Sequence, residues 1–123
     1  MIPIYIFLYC ESIDGISWTK YPNPIIYPGG YNTWDSKAVS PGAVIKENGI
    51  YKMYYCGYSN EYNNCHIGYA TSVDGINWEK YPQPIITGTT DWEHQLIPSS
   101  IIKLNNQYYL YYTGRNFPND RIG

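Results

Sequence analysis

Two acids sit behind tryptophans at matching places in this 123-residue chain: Trp34-Asp35 and Trp92-Glu93. Asp91 adds a third carboxylate beside the second pair, and His94 follows it directly. A carboxylate can take or give a proton, an imidazole can do either, and an indole offers a broad apolar face. Arg115 closes a later apolar run and brings a fixed donor fork. A second set of repeated acids has a simpler reading. Asp14-Gly15 and Asp74-Gly75 are turn dipeptides, in which the carboxylate accepts local backbone N–H groups and glycine supplies a positive φ. Repetition alone therefore does not make an acid catalytic.

The elements that must position these groups are also repeated. Ser12–Ile26 recurs as Ser72–Ile86, with eleven of the fifteen residues identical. The other half of the unit matches as well. Pro41–Lys46 and Tyr51–Gly57 correspond to Pro98–Lys103 and Tyr108–Gly114. Asn48-Gly49 and Asn105-Asn106 lie between these runs and read as hairpin turns. Each unit is expected to hold four strands. Strand one covers 42–46 or 99–103, and strand two 51–57 or 108–114. Strand three covers 66–72, matched by 5–12. Strand four starts near Trp18 or Trp78 and reaches about Ile26 or Ile86 through its prolines. No segment keeps a 3.6-residue apolar period, and nine prolines divide the chain, so no helix is expected. Strand two is apolar on both faces, which suits sheets stacked on each other.

Composition agrees with an all-β chain. There are 16 tyrosines and only 15% charged residues, a balance that favours pleated sheet over disorder. A net charge of −2 without a basic cluster gives no footprint for nucleic acid. Lys20 and Lys80 recur within the repeat and read as surface residues. The apolar start, residues 1–9, is too short to span a membrane and lacks a signal-peptide pattern. A strand is the simpler reading, and a cytoplasmic location is the default. Cys10, Cys56 and Cys65 form no C-x-x-C motif, so neither a metal nor a cofactor is expected. Cys56 and Cys65 flank a hairpin turn, either as a cross-strand disulfide or as buried free thiols.

The spans Ile67–Pro82, Pro98–Lys103 and Tyr108–Gly114 resemble blades of five-bladed β-propeller glycoside hydrolases, in particular families 43, 32 and 130. A weaker similarity links Ser72-x-Asp74-Gly75-x-x-Trp78 to the Asp-box of sialidase-type propellers, which usually has one more residue between Asp and Gly. The first resemblance implies an all-β chain of four-stranded antiparallel blades, about two blade equivalents in all. Residues 1–33 would be the last two strands of one blade, 34–90 a whole blade, and 91–123 the first two strands of another.

That family places its site in the central funnel, where two carboxylates cleave a glycosidic bond. On this chain the resemblance implies Glu93 as general acid and Asp35 as its partner carboxylate. Trp34 and Trp92 would stack on sugar, while His94 and Arg115 would bind hydroxyls or a carboxylate. Each also has a structural reading, as a blade-packing or surface residue. The chain departs from the family where an Asp commonly precedes the proline of the innermost strand. Ser40 precedes Pro41 and Ile97 precedes Pro98. The expectation is thus a glycoside-hydrolase-like module acting on oligo- or polysaccharide, and enzymatic activity stays open. The alternatives are a lectin-like glycan binder and a structural propeller piece. A five-bladed ring needs roughly 300 residues. The missing blades would come from a longer propeller or from head-to-tail copies, three of which give six blades. Arg121-Ile122-Gly123, matching His66-Ile67-Gly68, sets that strand phase.

Overall fold

The computed structural model describes residues 6–59, 64–89 and 92–116. Asp91, Tyr5 and the Arg121–Gly123 match lie outside the described residues. Every element described is a strand: β1 (Cys10–Glu11), β2 (Thr19–Lys20), β3 (Ala38–Glu47), β4 (Ile50–Tyr58), β5 (Cys65–Ser72), β6 (Glu79–Lys80), β7 (Gln95–Leu104) and β8 (Gln107–Arg115). Strands β3 to β6 form one antiparallel four-stranded blade in sequence order. Strands β1 and β2 pair as a separate ribbon, and β7 pairs with β8. A single parallel pairing, Cys65 with Gln95, joins β5 to β7.

The turns follow from their residues. Asn48 and Gly49 take φ of 51° and 80°, and Asn105 and Asn106 take 51° and 63°, the double positive φ of a tight hairpin. Asp14 Oδ1 accepts the backbone N–H groups of Ile16 and Ser17, both at 2.8 Å. Asp74 Oδ1 does the same for Ile76 and Asn77 at 2.9 and 2.8 Å. Both acids are turn residues, as their Asp-Gly setting implies.

These bonds hold Asp14 down from the usual 3.8 to about 2, the N–H groups of Ile16 and Ser17 being the main cause. Asp74 moves the same way, chiefly through the Asn77 N–H. A carboxyl whose pKa is lowered in the fold stabilises it above the ordinary pKa and loses that contribution as pH falls through the folded value. The expected result is a carboxyl NMR titration of Asp14 centred near 2. Softening of both turns, seen as faster amide exchange at Ile16 and Ile76, should accompany it.

Strand four differs from its expected length. Instead of running from Trp18 or Trp78 to the isoleucines, each copy forms a two-residue ladder and one isolated bridge, Phe7–Ile26 or Ile67–Ile86. Pro22, Pro24, Pro82 and Pro84 carry no N–H and break the ladder. The tyrosine and isoleucine between or beside them still donate: Tyr21 to Tyr9, Ile25 to Phe7, Tyr81 to Tyr69 and Ile85 to Ile67. The strand expected over 5–12 shrinks to β1 for a related reason, since no described strand covers its other edge. Strands one are longer than expected, and each carries a register shift beside its proline, between Ser40 and Ala43 and between Pro98 and Ser100.

The core lies where the β1–β2 ribbon meets the whole blade. Phe7, Ile26, Val39, Met53, Tyr55 and Ala70 are buried together, with Trp34 and Trp78 packed against them. Met53 and Tyr55 face this ribbon. Their neighbours Lys52 and Cys56 point to the other face of β4, toward β7 and β8. Lys52 reaches the Tyr108 hydroxyl at 3.0 Å. Glu47 accepts from that hydroxyl at 2.6 Å and pairs with Lys52 and Lys103 at 3.2 and 3.1 Å. Strand β4 is therefore covered on both faces. The corresponding β8 is exposed at Tyr108, Tyr109, Tyr111 and Tyr112.

Candidate functional site

A line of register partners crosses one end of the molecule: Ala38 with Tyr58, Tyr58 with Cys65, Cys65 with Gln95, and Gln95 with Arg115. The segments entering β3 and β7 meet this line, and they carry Trp34-Asp35 and Trp92-Glu93-His94. Topology thus brings all six candidate residues to one end of the sheets. Asp35 belongs to the whole blade and Glu93 to the β7–β8 half.

Asp35 is buried at 3% exposure. Its Oδ2 accepts the Lys80 ammonium at 2.7 Å and the Tyr55 hydroxyl at 3.2 Å, and its Oδ1 accepts the Thr33 hydroxyl at 3.2 Å. Lys80 also donates to the Tyr27 carbonyl at 3.0 Å. Asp35 therefore ties the lead into strand one to strand two and strand four. Burial, then the Asp35 charge, pushes the Tyr55 phenol up, so it stays a donor. Trp34 stacks on the Tyr55 ring, centroids 5.7 Å apart at 29°. Gly57 and Gly68 leave room for that stack, since a Cβ on Gly68 would lie 2.5 Å from the Tyr55 ring and 2.6 Å from Trp34.

Glu93 repeats the arrangement. Its Oε1 accepts the Tyr112 hydroxyl at 3.2 Å, and its Oε2 accepts the Thr89 backbone N–H and hydroxyl at 2.9 and 3.1 Å. Tyr112 is the repeat partner of Tyr55 and is likewise pushed up by its bond to the acid. Trp92, unlike Trp34, is 73% exposed. His94 is exposed, and its carbonyl takes the Cys65 N–H at 3.1 Å. Arg115 is exposed at the end of β8.

Sequence reasoning missed Lys80, read as a surface residue. Its side chain is 27% exposed and its ammonium turns inward to Asp35. The available signal was its recurrence with Lys20 at the same place in the repeat. Cys56 and Cys65 are both buried free thiols, and Cys65 Sγ donates to the Leu96 carbonyl at 3.3 Å. Among the described residues no group of three or more His, Cys, Asp or Glu could hold a metal ion.

With this geometry in view, comparison with known proteins is specific. The Glyco_hydro_130 profile, described as beta-1,4-mannooligosaccharide phosphorylase, matches residues 41–123. A beta-1,2-mannobiose phosphorylase of Thermoanaerobacter sp. (strain X514) is 33% identical over 104 residues, covering 74% of this chain and 34% of the relative. A 1,2-beta-oligomannan phosphorylase of the same organism is 33% identical over 98 residues, covering 74% and 33%. The chain thus spans about a third of the length of the curated relatives it matches. Among solved structures, the beta-1,2-mannobiose phosphorylase from Listeria innocua in complex with beta-1,2-mannobiose superposes with a TM-score of 0.67. The identity is 18%, over 89% of this chain and 40% of that one. The fold is that of all-β propeller blades.

Proposed function

The chain belongs to the Glyco_hydro_130 family, and on that premise we propose that it is the saccharide-binding part of a mannoside phosphorylase propeller. The observation that carries this is the gathering of Trp92, His94 and Arg115 at the end of β7 and β8, within the matched span. Trp92 offers an open apolar face for a sugar ring. Arg115 offers a fork suited to phosphate or to vicinal hydroxyls. Trp34 is occupied with Tyr55 and serves packing.

Phosphorolysis changes what the site must contain. Hydrolysis needs one group to activate water and another to protonate the leaving oxygen. Phosphate arrives already anionic. Its oxygen bonds to the anomeric carbon, the glycosidic C–O bond breaks, and one proton goes to the leaving oxygen. A single acid is enough. Asp35 and Glu93, each held by a tyrosine of its own blade, are best read as blade anchors. The acid then belongs to another part of the assembled propeller. This reading narrows the earlier expectation of a hydrolase with an Asp35–Glu93 acid pair.

The test is release of mannose 1-phosphate from β-1,2- or β-1,4-mannobiose by the assembled propeller, with and without inorganic phosphate. Phosphate-dependent release is expected, and release that ignores phosphate contradicts the proposal. A second reading, glycan binding without turnover, is favoured by Ser40 and Ile97 standing where related propellers carry an acid before proline. It predicts binding of the same sugars and no release under either condition.

A further inference from the structure

Cys56 and Cys65 have no part in the proposed chemistry, yet they lie against the segment that carries it. Cys56 stands opposite Ile67 and Cys65 opposite Tyr58, so the two thiols share one face of the β4–β5 ladder as diagonal neighbours. Both are wholly buried. The Cys56 thiol is hydrogen-bonded to Cys65, whose own Sγ donates to the Leu96 carbonyl at 3.3 Å. Cys65 also carries the backbone link between the strands. Its N–H donates to the His94 carbonyl at 3.1 Å, and it is the residue paired with Gln95. One cysteine therefore touches His94, Gln95 and Leu96 in turn, directly after Trp92.

We propose that Cys56 and Cys65 form a reversible disulfide that regulates the saccharide site through Cys65. The inference rests on reading Trp92, His94 and Arg115 as that site. Diagonal neighbours of an antiparallel ladder stand about 7–8 Å apart, and a disulfide spans about 4.4–6.8 Å between Cα atoms. Closing the bond must draw Cys65 toward β4, which means away from β7, because β5 lies between them. The Sγ that joins Cys56 no longer donates to Leu96, and the links to His94 and Gln95 are pulled. A bond closed against the ladder is strained, and strained disulfides are readily reduced, which suits a switch better than a staple.

The oxidant is a low-molecular-weight disulfide, such as oxidised glutathione. Accepting the Cys56 hydrogen bond lowers the Cys65 pKa, which favours Cys65 as the attacking thiolate. It bonds to one sulfur of the oxidant and releases one thiol. Cys56 then loses its proton, attacks the Cys65 sulfur of the mixed disulfide and expels the second thiol. Two protein thiols are oxidised to one disulfide, and the oxidant is reduced to two thiols. Because both cysteines are buried, the reaction waits on local parting of β7 from β5.

The test uses the full chain carrying Cys10→Ser, which removes the exposed thiol. After incubation with oxidised glutathione, peptide mass mapping should find Cys56 joined to Cys65. The amide resonances of His94, Gln95 and Leu96 should shift, and β-1,2-mannobiose binding should weaken about tenfold, an ordinary size for coupling between two sites. Dithiothreitol should reverse both changes. Adding Cys56→Ser should abolish them. Absence of the disulfide overturns the proposal, as does a disulfide that leaves the binding of a saccharide-binding chain unchanged. A response that persists in Cys56→Ser overturns it too, since an adduct on Cys65 would then be the cause. If the reduced chain binds no saccharide, the resonances decide. Movement at residues 94–96 on oxidation keeps the redox link while the proposed function fails, and no movement removes both. Saccharide binding without any disulfide removes the switch and leaves the function.

Discussion

Asp35→Ala is expected to lower stability by about 2–3 kcal/mol, read as a fall of about 1–2 M in the urea midpoint. The carboxylate is almost wholly enclosed, and three side chains depend on it: Lys80, Tyr55 and Thr33. Its removal leaves the Lys80 ammonium without its carboxylate and the Tyr55 hydroxyl without its acceptor. Losing one member of a fully buried ion pair costs about 3–5 kcal/mol. The expected value is smaller because the Lys80 side chain keeps 27% of its surface in water. Lys80→Met should cost at least as much, since it strands the more buried partner, whose side chain is only 4% exposed. Asp35→Asn should be milder, because the amide oxygen still accepts from Tyr55. Midpoints indistinguishable from wild type for both Asp35→Ala and Lys80→Met would show that the triad does not hold the blade.

Gly68→Ala is the second large effect, expected at about 1–3 kcal/mol from overpacking. The added methyl would press on the Tyr55 and Trp34 rings, both part of a stack with no slack. Tyr55 is fully buried and cannot retreat into solvent. Displacing its ring also pulls its hydroxyl from Asp35, so Gly68→Ala and Asp35→Asn should be non-additive. A double-mutant cycle by denaturant unfolding measures this. Additive costs within about 0.5 kcal/mol would mean that the stack and the ion pair are independent.

Much of the architecture was legible because it rests on local chemistry repeated in sequence. Asn48-Gly49 and Asn105-Asn106 dictate hairpins, Asp14 and Asp74 tie their own turns, and the tyrosine-rich runs between them have no other use than strand. Strand four was harder to read. Its apolar residues argue for a long strand, and its prolines argue against one. The structure gives the compromise, in which the N–H groups of residues beside the prolines keep pairing while the ladder is broken. Side-chain contacts between strands distant in sequence were not legible. Lys80 and Asp35 lie far apart in the chain, and nothing in either segment shows that one ammonium turns inward to the other's carboxylate.

The candidate acids illustrate the same limit. Trp34-Asp35 and Trp92-Glu93 stand out by type and repetition, and the family resemblance implied a reacting pair. Only the positions of Tyr55 and Tyr112 reveal that each acid faces the strand-two tyrosine of its own blade. The gathering of Trp92, His94 and Arg115 depends on the single parallel contact between Cys65 and Gln95 and on the Gln95–Arg115 register. No spacing in the sequence encodes that end of the sheet as a site.

The most direct measurement is a calorimetric titration of β-1,2-mannobiose and β-1,4-mannobiose into the chain and into its Trp92→Ala variant. The account predicts saturable binding of at least one disaccharide, weakened about tenfold or more when the indole is removed, the upper range for one aromatic contact. No binding of either sugar, or binding that Trp92→Ala leaves unchanged, would contradict it.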